Sequence, residues 1–212
     1  MAGDFFVTTI GYFPSVEVFV LGENYSKWKV EAQEHYQKTG LRNKCCIVGS
    51  QGRCTLSIPL EQGRNNGLPI REVKISNTVN WQKQHWQTIR TNYGKSPFFI
   101  HYAPYFEAFY QKGHQYLFDL CIESTALLIK LLKLDVSPEP TKDFIRHYEG
   151  EGILDFRFPK TANSFVKIIH QPYPQVFSDR HGFTENLSAI DILFCLGTDA
   201  KKILKKSKIM YL

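Results

Sequence analysis

Two polar segments, far apart in the chain, carry the side chains best suited to bind or convert a ligand. The first is a turn over residues 34–43, here called the elbow, and the second covers residues 170–177 and 186–191. Their polar side chains are Glu34, Tyr36, Lys38, Arg42 and Asn43 in the elbow, and His170, Tyr173, Gln175 and Asn186 in the second segment. Side chains of these types can bind hydroxyl, carboxylate and phosphate groups. The sequence therefore predicts that the two segments form the halves of one polar site.

The cations of the elbow have two interpretations. Lys38 and Arg42 could clamp a diphosphate or a carboxylate, with the arginine making two parallel hydrogen bonds. Alternatively, they could pair with Glu31 or Glu34 and only stabilise the elbow. We predict a ligand-binding role, because so many polar groups crowd one turn. Asn43, Gln175 and Asn186 could bind sugar hydroxyls, although such residues are often turn or cap residues.

Two further side chains are candidates for proton transfer. His85 can act as a general base, because histidine titrates near neutral pH, and it lies one helical turn after Trp81, a possible platform for a sugar ring. The alternative for His85 is a partly buried histidine that bonds a backbone carbonyl. Glu34 is expected to point inward and to need a partner, since an unpaired buried charge is costly. We predict that Arg157 is that partner.

Several large enzyme classes are not supported, because their sequence motifs are absent. The sequence lacks GxxxxGK[ST], GxGxxG, GxSxG, HExxH and Asp-x-Asp. Its five cysteines show no CxxC or Cys/His ligand spacing, so we predict no metal and no other cofactor. Free thiols, no basic leader and no membrane-spanning apolar run predict a cytoplasmic protein.

The net charge of +6 is concentrated at the end of the chain. Five lysines lie within residues 201–208, which leaves 21 basic and 20 acidic residues in 1–200. We therefore predict no nucleic-acid-binding face. The lysine-rich tail could touch an anionic membrane surface weakly, although a solvated helix end is the simpler interpretation.

The elements that must position these residues are strands near both ends and helices in the middle. Strands are predicted over residues 5–13, 28–36, 45–48, 53–60, 70–75, 153–158 and 165–170. Helices are predicted over residues 15–21, 81–93, 115–134 and 141–149, with others after Ser96-Pro97, from a capping box at residues 188–191 to Leu196, and at the lysines. The predicted fold is α/β (α+β): one domain over 1–212, with an internal linker at 137–140 and a mixed, largely antiparallel sheet covered by helices.

An ordered set of short motifs resembles the WbqC-like protein family. The set is Tyr12-Phe13-Pro14; Glu34, Tyr36, Lys38, Arg42-Asn43; Leu56-Ser57-Ile58-Pro59; Trp81, His85-Trp86; Tyr93, Ser96-Pro97-Phe98-Phe99; Pro159-Lys160; Tyr173-Pro174-Gln175; and Asn186-Leu187-Ser188-Ala189-Ile190-Asp191. Many members carry His-Gln-Pro in the first strand, where this chain has Thr9-Ile10-Gly11. The resemblance implies a protein of O-antigen or surface-polysaccharide gene clusters.

For such proteins the resemblance implies a transferase that adds an aminoacyl group, plausibly glycyl, to an amino sugar. On that basis the catalytic residues would be His85 and Glu34. The substrate-binding residues would be Tyr12, Tyr36, Lys38, Arg42, Asn43, Trp81, Arg157, His170, Tyr173, Gln175 and Asn186. The partner would be a small molecule: a nucleotide- or lipid-linked sugar with an aminoacyl donor. The alternative is a non-catalytic sugar-nucleotide-binding or assembly protein that uses the same cleft.

Overall fold

The computed structural model describes residues 3–61, 67–157 and 166–211. In chain order, its elements are β1 (Gly3–Thr8), α1 (Val16–Gly22), β2 (Tyr25–Val30), β3 (Lys44–Gly49), β4 (Gly52–Ser57), α2 (Trp81–Tyr93), α3 (Phe99–Gln111), α4 (Leu117–Leu132), β5 (Pro138–Pro140), β6 (Ile153–Asp155), β7 (Val166–Ile169), α5 (Ser178–His181), α6 (Ala189–Leu196), α7 (Ala200–Lys206) and β8 (Lys208–Tyr211). Short 3₁₀ turns occupy Ile70–Glu72 and Gly197–Asp199. Phe158, Pro159-Lys160 and Phe165 lie outside the described residues.

The central sheet is parallel, so the prediction of a largely antiparallel sheet is wrong. Its strand order is β5-β2-β1-β6, and each neighbouring pair runs in the same direction. Helix α1 makes the crossover that parallel pairing of β1 with β2 requires. The apolar run in β1 fits this arrangement, because strands buried on both faces lack polar alternation. Antiparallel pairing links only β3 with β4 and β7 with β8 among the named strands of the described residues.

The predicted linker at 137–140 contributes the edge of this sheet. Residues Pro138–Pro140 form β5, which pairs with Trp28–Val30 of β2. Proline cannot donate to a strand ladder and is confined largely to edge strands, so a Pro-Glu-Pro segment suits this outer position. The single-domain prediction stays a prediction.

Helices whose signals are local agree best with the sequence. Helix α2 has the predicted bounds, and the Asn80 side chain accepts a hydrogen bond from the Lys83 amide. Helix α3 runs continuously past Pro104, and α4 is two residues shorter than predicted at each end. Residues 141–149 form no helix, and residues 70–75 contain a 3₁₀ turn in place of a strand. Both corrections concern short segments, in which few local interactions favour one conformation.

A late segment of the chain docks between two early ones. The amide of Val16 donates to the Leu187 carbonyl at 2.9 Å, and the Ala189 amide donates to the Pro14 carbonyl at 2.9 Å. The Ser188 amide donates to the Cys46 carbonyl at 2.7 Å. Residues 186–189 thus lie against both the loop after β1 and strand β3. This docking determines the shape of the candidate functional site.

Candidate functional site

A cleft of about 670 Å³ lies at the carboxyl ends of β1, β2 and β6. Residues Thr8 to Gly11 after β1 form its floor, and Phe156 and Arg157 after β6 border it. Strands β2 and β5 lie on one side of β1 and β6 on the other, so the strand order reverses between β1 and β6. In open parallel sheets, ligands bind in the crevice outside the carboxyl ends of the strands at such a reversal. The topology and the cleft point to the same place.

One wall of the cleft carries hydrogen-bonding side chains in an alternating pattern. Ser15 and Ser188 are paired by an antiparallel bridge, and Ser15, Glu17, Asn186 and Ser188 all line the cleft. The intervening Val16 and Leu187 are buried in the core. Ser15 and Ser188 meet at this bridge, Asn186 lies two residues before Ser188, and Glu17 reaches the same cleft from the first turn of α1. We call this surface the acceptor wall.

A second part of the lining is basic, and we call it the basic wall. Arg42, Lys44 and Cys46 alternate with buried residues and line the cleft together with Thr55 of β4. The guanidinium of Arg42 donates to Glu34 through Nε at 2.8 Å and Nη2 at 2.6 Å, and both side chains are buried. Lys44 forms no ion pair with the described residues. Lys44 therefore offers its full charge to a ligand, whereas the charge of Arg42 is balanced. This arrangement is the structural alternative that the sequence left open for Arg42.

The predicted pairing of Arg157 with Glu34 is wrong. Arg157 donates to the fully buried Glu31 at 3.0 Å, and to both oxygens of Asp155 at 2.8 Å and 2.5 Å. Thr141 donates to the other Glu31 oxygen at 2.7 Å. These contacts bind the carboxyl ends of β2, β5 and β6 to one another. Arg157 reaches the cleft as part of this network, in which two carboxylates face one guanidinium.

Glu17 is the carboxylate of the acceptor wall, and its side chain lies near the buried His170. The side chain of Glu17 is 19% exposed, and its Oε1 lies 3.5 Å from Nε2 of the buried His170. This distance suits an ion pair but exceeds the usual range of about 2.7–3.2 Å for a hydrogen bond. Within the described residues, the Nε2 atom has no hydrogen-bond partner. The sequence predicted His170 as a site residue and did not single out Glu17.

Asn186 has two unusual features. Its φ of 49° is in the left-handed region, which asparagine tolerates better than most residues. Its Oδ1 atom is buried and accepts no hydrogen bond from the described residues. Asn186 is therefore a predicted site residue that lies in the cleft with an unused acceptor.

His85 lies away from the cleft, in a buried aromatic cluster. Its Nδ1 is 3.0 Å from the Tyr12 hydroxyl, which lies 2.5 Å from the Tyr110 hydroxyl, and Trp81 packs against the His85 ring. Burial lowers the pKa of His85 from 6.5 to about 4, against a smaller opposing contribution from the Ser57 backbone. The imidazole is neutral at pH 7. Its surroundings are those of a core histidine, and Trp81 is too buried to stack on a ligand.

Asp191 holds together the segment that includes Tyr173 and Gln175. Its carboxylate accepts from the hydroxyls of Tyr93 at 2.9 Å and Tyr173 at 2.7 Å, and from Nε2 of Gln175 at 3.0 Å. Burial raises the pKa of Asp191, whereas these three bonds oppose the increase. Ser188 does cap α6, but Asp191 is not the returning acid of a capping box as predicted. Tyr173 and Gln175 thus support the acceptor wall from behind.

The remaining predicted residues belong to the elbow. The Tyr36 hydroxyl donates to Asn43 Oδ1 at 3.3 Å, and the Asn43 amide donates to the Ile58 carbonyl at 2.9 Å. Lys38 is exposed and is not part of the cleft lining. In the described ranges, no group of three or more potential metal ligands comes together. Nor does any helix in those ranges have the length and apolar character needed to cross a membrane.

Of the thirteen predicted site residues, the cleft is lined by Arg42, Arg157 and Asn186, and His170 contacts it through Glu17. Sequence reasoning missed Glu17 and gave no binding role to Lys44. One signal was available for Glu17, since it is the single carboxylate within the apolar run of residues 16–21. A charged residue embedded in such a run needs a polar surface to face.

Comparison with known proteins supplies one match. The model of the WbqC-like protein family matches residues 11–157, more than half of the chain. That stretch contains Gly11 of the cleft floor, the basic wall and Arg157, but not Thr8 to Ile10, His170 or Asn186. No curated protein and no solved structure matches the chain.

Proposed function

The chain belongs to the WbqC-like protein family, and membership suggests a role in polysaccharide gene clusters; from this premise we propose that it is a transferase of surface-polysaccharide biosynthesis. Its acceptor is a nucleotide- or lipid-linked amino sugar that occupies the cleft. The group transferred is aminoacyl, and we propose that it is glycyl. The observation that carries the proposal is the cleft itself, at the strand-order reversal, lined by both a basic wall and an acceptor wall.

The volume and lining of the cleft support a ligand of this class. Pockets for small molecules usually measure about 300–1,000 Å³ and combine apolar surface with a few placed polar groups. Trp28, Val18 and Phe156 supply apolar surface, and Thr9 and Thr55 add hydroxyls. Lys44 can hold a phosphate oxygen as a point charge. A sugar linked to a phosphate group would thus find both the Lys44 cation and the hydrogen-bond acceptors of the acceptor wall in the cleft.

The reaction forms an amide from an ammonium group and an activated aminoacyl ester or thioester. The new C–N bond replaces the C–O or C–S bond of the donor. The ammonium gives up two protons, of which one leaves with the alcohol or thiol and the other requires a base. Since His85 is buried elsewhere, Glu17 is the side chain of the acceptor wall best placed to receive that proton.

The position of His85 also favours a second candidate function. If no imidazole acts in the cleft, the same walls suit a non-catalytic protein that binds a sugar nucleotide for an assembly step. Both candidates require the same ligand in the cleft, and they differ in whether an aminoacyl donor is consumed.

Ligand binding at Lys44 tests the proposal. We expect uridine diphosphate glucosamine to raise the unfolding temperature of the protein by mass action, and Lys44→Ala to weaken its binding at least fivefold in calorimetry. Lys27→Ala is the matched control, because Lys27 is exposed on β2 and does not line the cleft. Equal binding by the two variants, or no binding by the wild type, would contradict the proposal. Labelled glycine transferred from an activated ester would then separate transferase from binding protein.

A further inference from the structure

Two residues of the acceptor wall, Glu17 and Asn186, have side-chain oxygens that accept no hydrogen bond from the residues that the structure describes. Glu17 contributes a carboxylate, which accepts hydrogen bonds and cannot donate while ionised. Asn186 contributes a buried Oδ1 that has no donor within the described part of the chain. Both residues line the cleft next to the antiparallel bridge between Ser15 and Ser188: Glu17 follows Ser15 in the first turn of α1, and Asn186 precedes Ser188 by two residues. A ligand group that meets this wall must therefore bring its own donors.

The packing of the fold leaves two buried polar atoms, Asn186 Oδ1 and His170 Nε2, without a hydrogen bond in the described residues. Buried polar atoms in native proteins nearly always have a partner, because an unsatisfied group costs about 1–3 kcal/mol. His170 is buried, yet its Nε2 approaches Glu17 only to 3.5 Å and makes no hydrogen bond in the described residues. A structural ion pair would be expected to close this gap. The arrangement resembles a half-filled site, in which Glu17 is held near His170 while its other oxygen is left for a ligand.

We propose that Glu17 and Asn186 form a subsite for a primary amine, with His170 as the residue that positions Glu17. An alkylammonium group has three donors and no acceptor, which complements one carboxylate and one amide oxygen. Its positive charge is favoured beside Glu17, whereas a phosphate or carboxylate would be repelled there and attracted to Lys44 of the basic wall. The ligand is accordingly anionic at one end and cationic at the other. This inference rests on the proposed function and assigns the orientation of the sugar within the cleft.

A pair of ligands that differ only at the amine tests the subsite. Uridine diphosphate glucosamine carries a free amine, and uridine diphosphate N-acetylglucosamine carries the same amine as a neutral amide. At a pH at which the amine is protonated, we expect the wild type to bind the free-amine ligand at least tenfold more tightly in calorimetry. In Glu17→Gln, that preference should fall to near unity, while binding of the acetylated ligand changes less than twofold.

Two further variants separate recognition from folding. Asn186→Gly removes Oδ1 and keeps a residue that adopts positive φ without strain, and we expect it to reduce the preference about threefold. Glu23→Gln is the matched control: Glu23 lies at the other end of α1 and pairs with Lys201 and Lys205, so the preference should be unchanged.

The outcomes distinguish this inference from the function on which it rests. If neither ligand binds the wild type, the proposed function fails and the subsite fails with it. If both ligands bind and Lys44→Ala weakens both, but Glu17→Gln leaves the preference unaltered, the cleft is correct and the amine subsite is refuted. A wild type that favours the acetylated ligand also refutes it.

Discussion

Replacing His85 with glutamine should change how stability depends on pH, because the folded protein keeps this imidazole neutral. Burial lowers the pKa of His85 from 6.5 to about 4. Between these two pH values the unfolded chain binds a proton that the folded chain does not. The contribution of His85 is therefore complete above about pH 6.5 and is lost as the pH falls towards 4.

The magnitude follows from the two values. Each pH unit between them corresponds to about 1.4 kcal/mol, so the full difference is worth roughly 3 kcal/mol. Most of it should be lost by about pH 4.5. His85→Gln removes the titrating group, and its free energy of unfolding should fall by roughly 2–3 kcal/mol less than that of the wild type between pH 7.5 and 4.5. The variant will also be less stable at pH 7.5, since it alters the contacts with Tyr12 and Trp81.

Urea denaturation at several pH values, followed by tryptophan fluorescence, measures this difference. His147→Gln is the control, because His147 is exposed and its replacement should leave the wild-type pH profile unaltered. If the profiles of His85→Gln and the wild type run parallel, His85 does not titrate as a buried neutral group.

Two further predictions concern buried polar networks. Arg42→Ala should lower the free energy of unfolding in urea by about 3–5 kcal/mol, because it leaves the Glu34 carboxylate buried and unpaired. The double variant Arg42→Ala/Glu34→Ala should lose less stability than Arg42→Ala alone, and a larger loss would contradict this account. Tyr173→Phe removes one of the three donors to Asp191 and should cost about 1.5–3 kcal/mol, measured by thermal unfolding. Tyr105→Phe is the control, because Tyr105 is exposed on α3; equal losses would refute the role of the hydrogen bond from Tyr173.

Features set by neighbouring residues were predictable from the sequence. Asn80 and Ser188 have the side chains that cap helices, and α2 and α6 begin where they predict. The crowding of polar groups in the elbow was also recognised. The sequence could not reveal the partner of each polar group. Arg42 could reach either a ligand or Glu34, and only the backbone of the turn decides between them.

Long-range pairing explains the larger errors. β6 joins β1 across almost 150 residues, and no local pattern in either strand specifies that neighbour or its direction. For this reason, neither the parallel sheet nor the position of the cleft could be predicted from the sequence. Glu17 was overlooked for the same reason: its significance depends on His170 and Asn186, which reach it only through the docking of residues 186–189.

That docking has a consequence for the order in which the protein becomes competent to bind. Ribosomal synthesis delivers the floor of the cleft, the basic wall and Arg157 first, and domains can begin to fold as they emerge. The acceptor wall is complete only when residues 186–188 have been made and have joined Ser15 and Cys46. Contacts of such high sequence separation form slowly because a long loop must close. A nascent chain therefore passes through a stage that holds the cation needed for an anionic ligand but lacks Asn186, and full recognition requires the docking of residues 186–188.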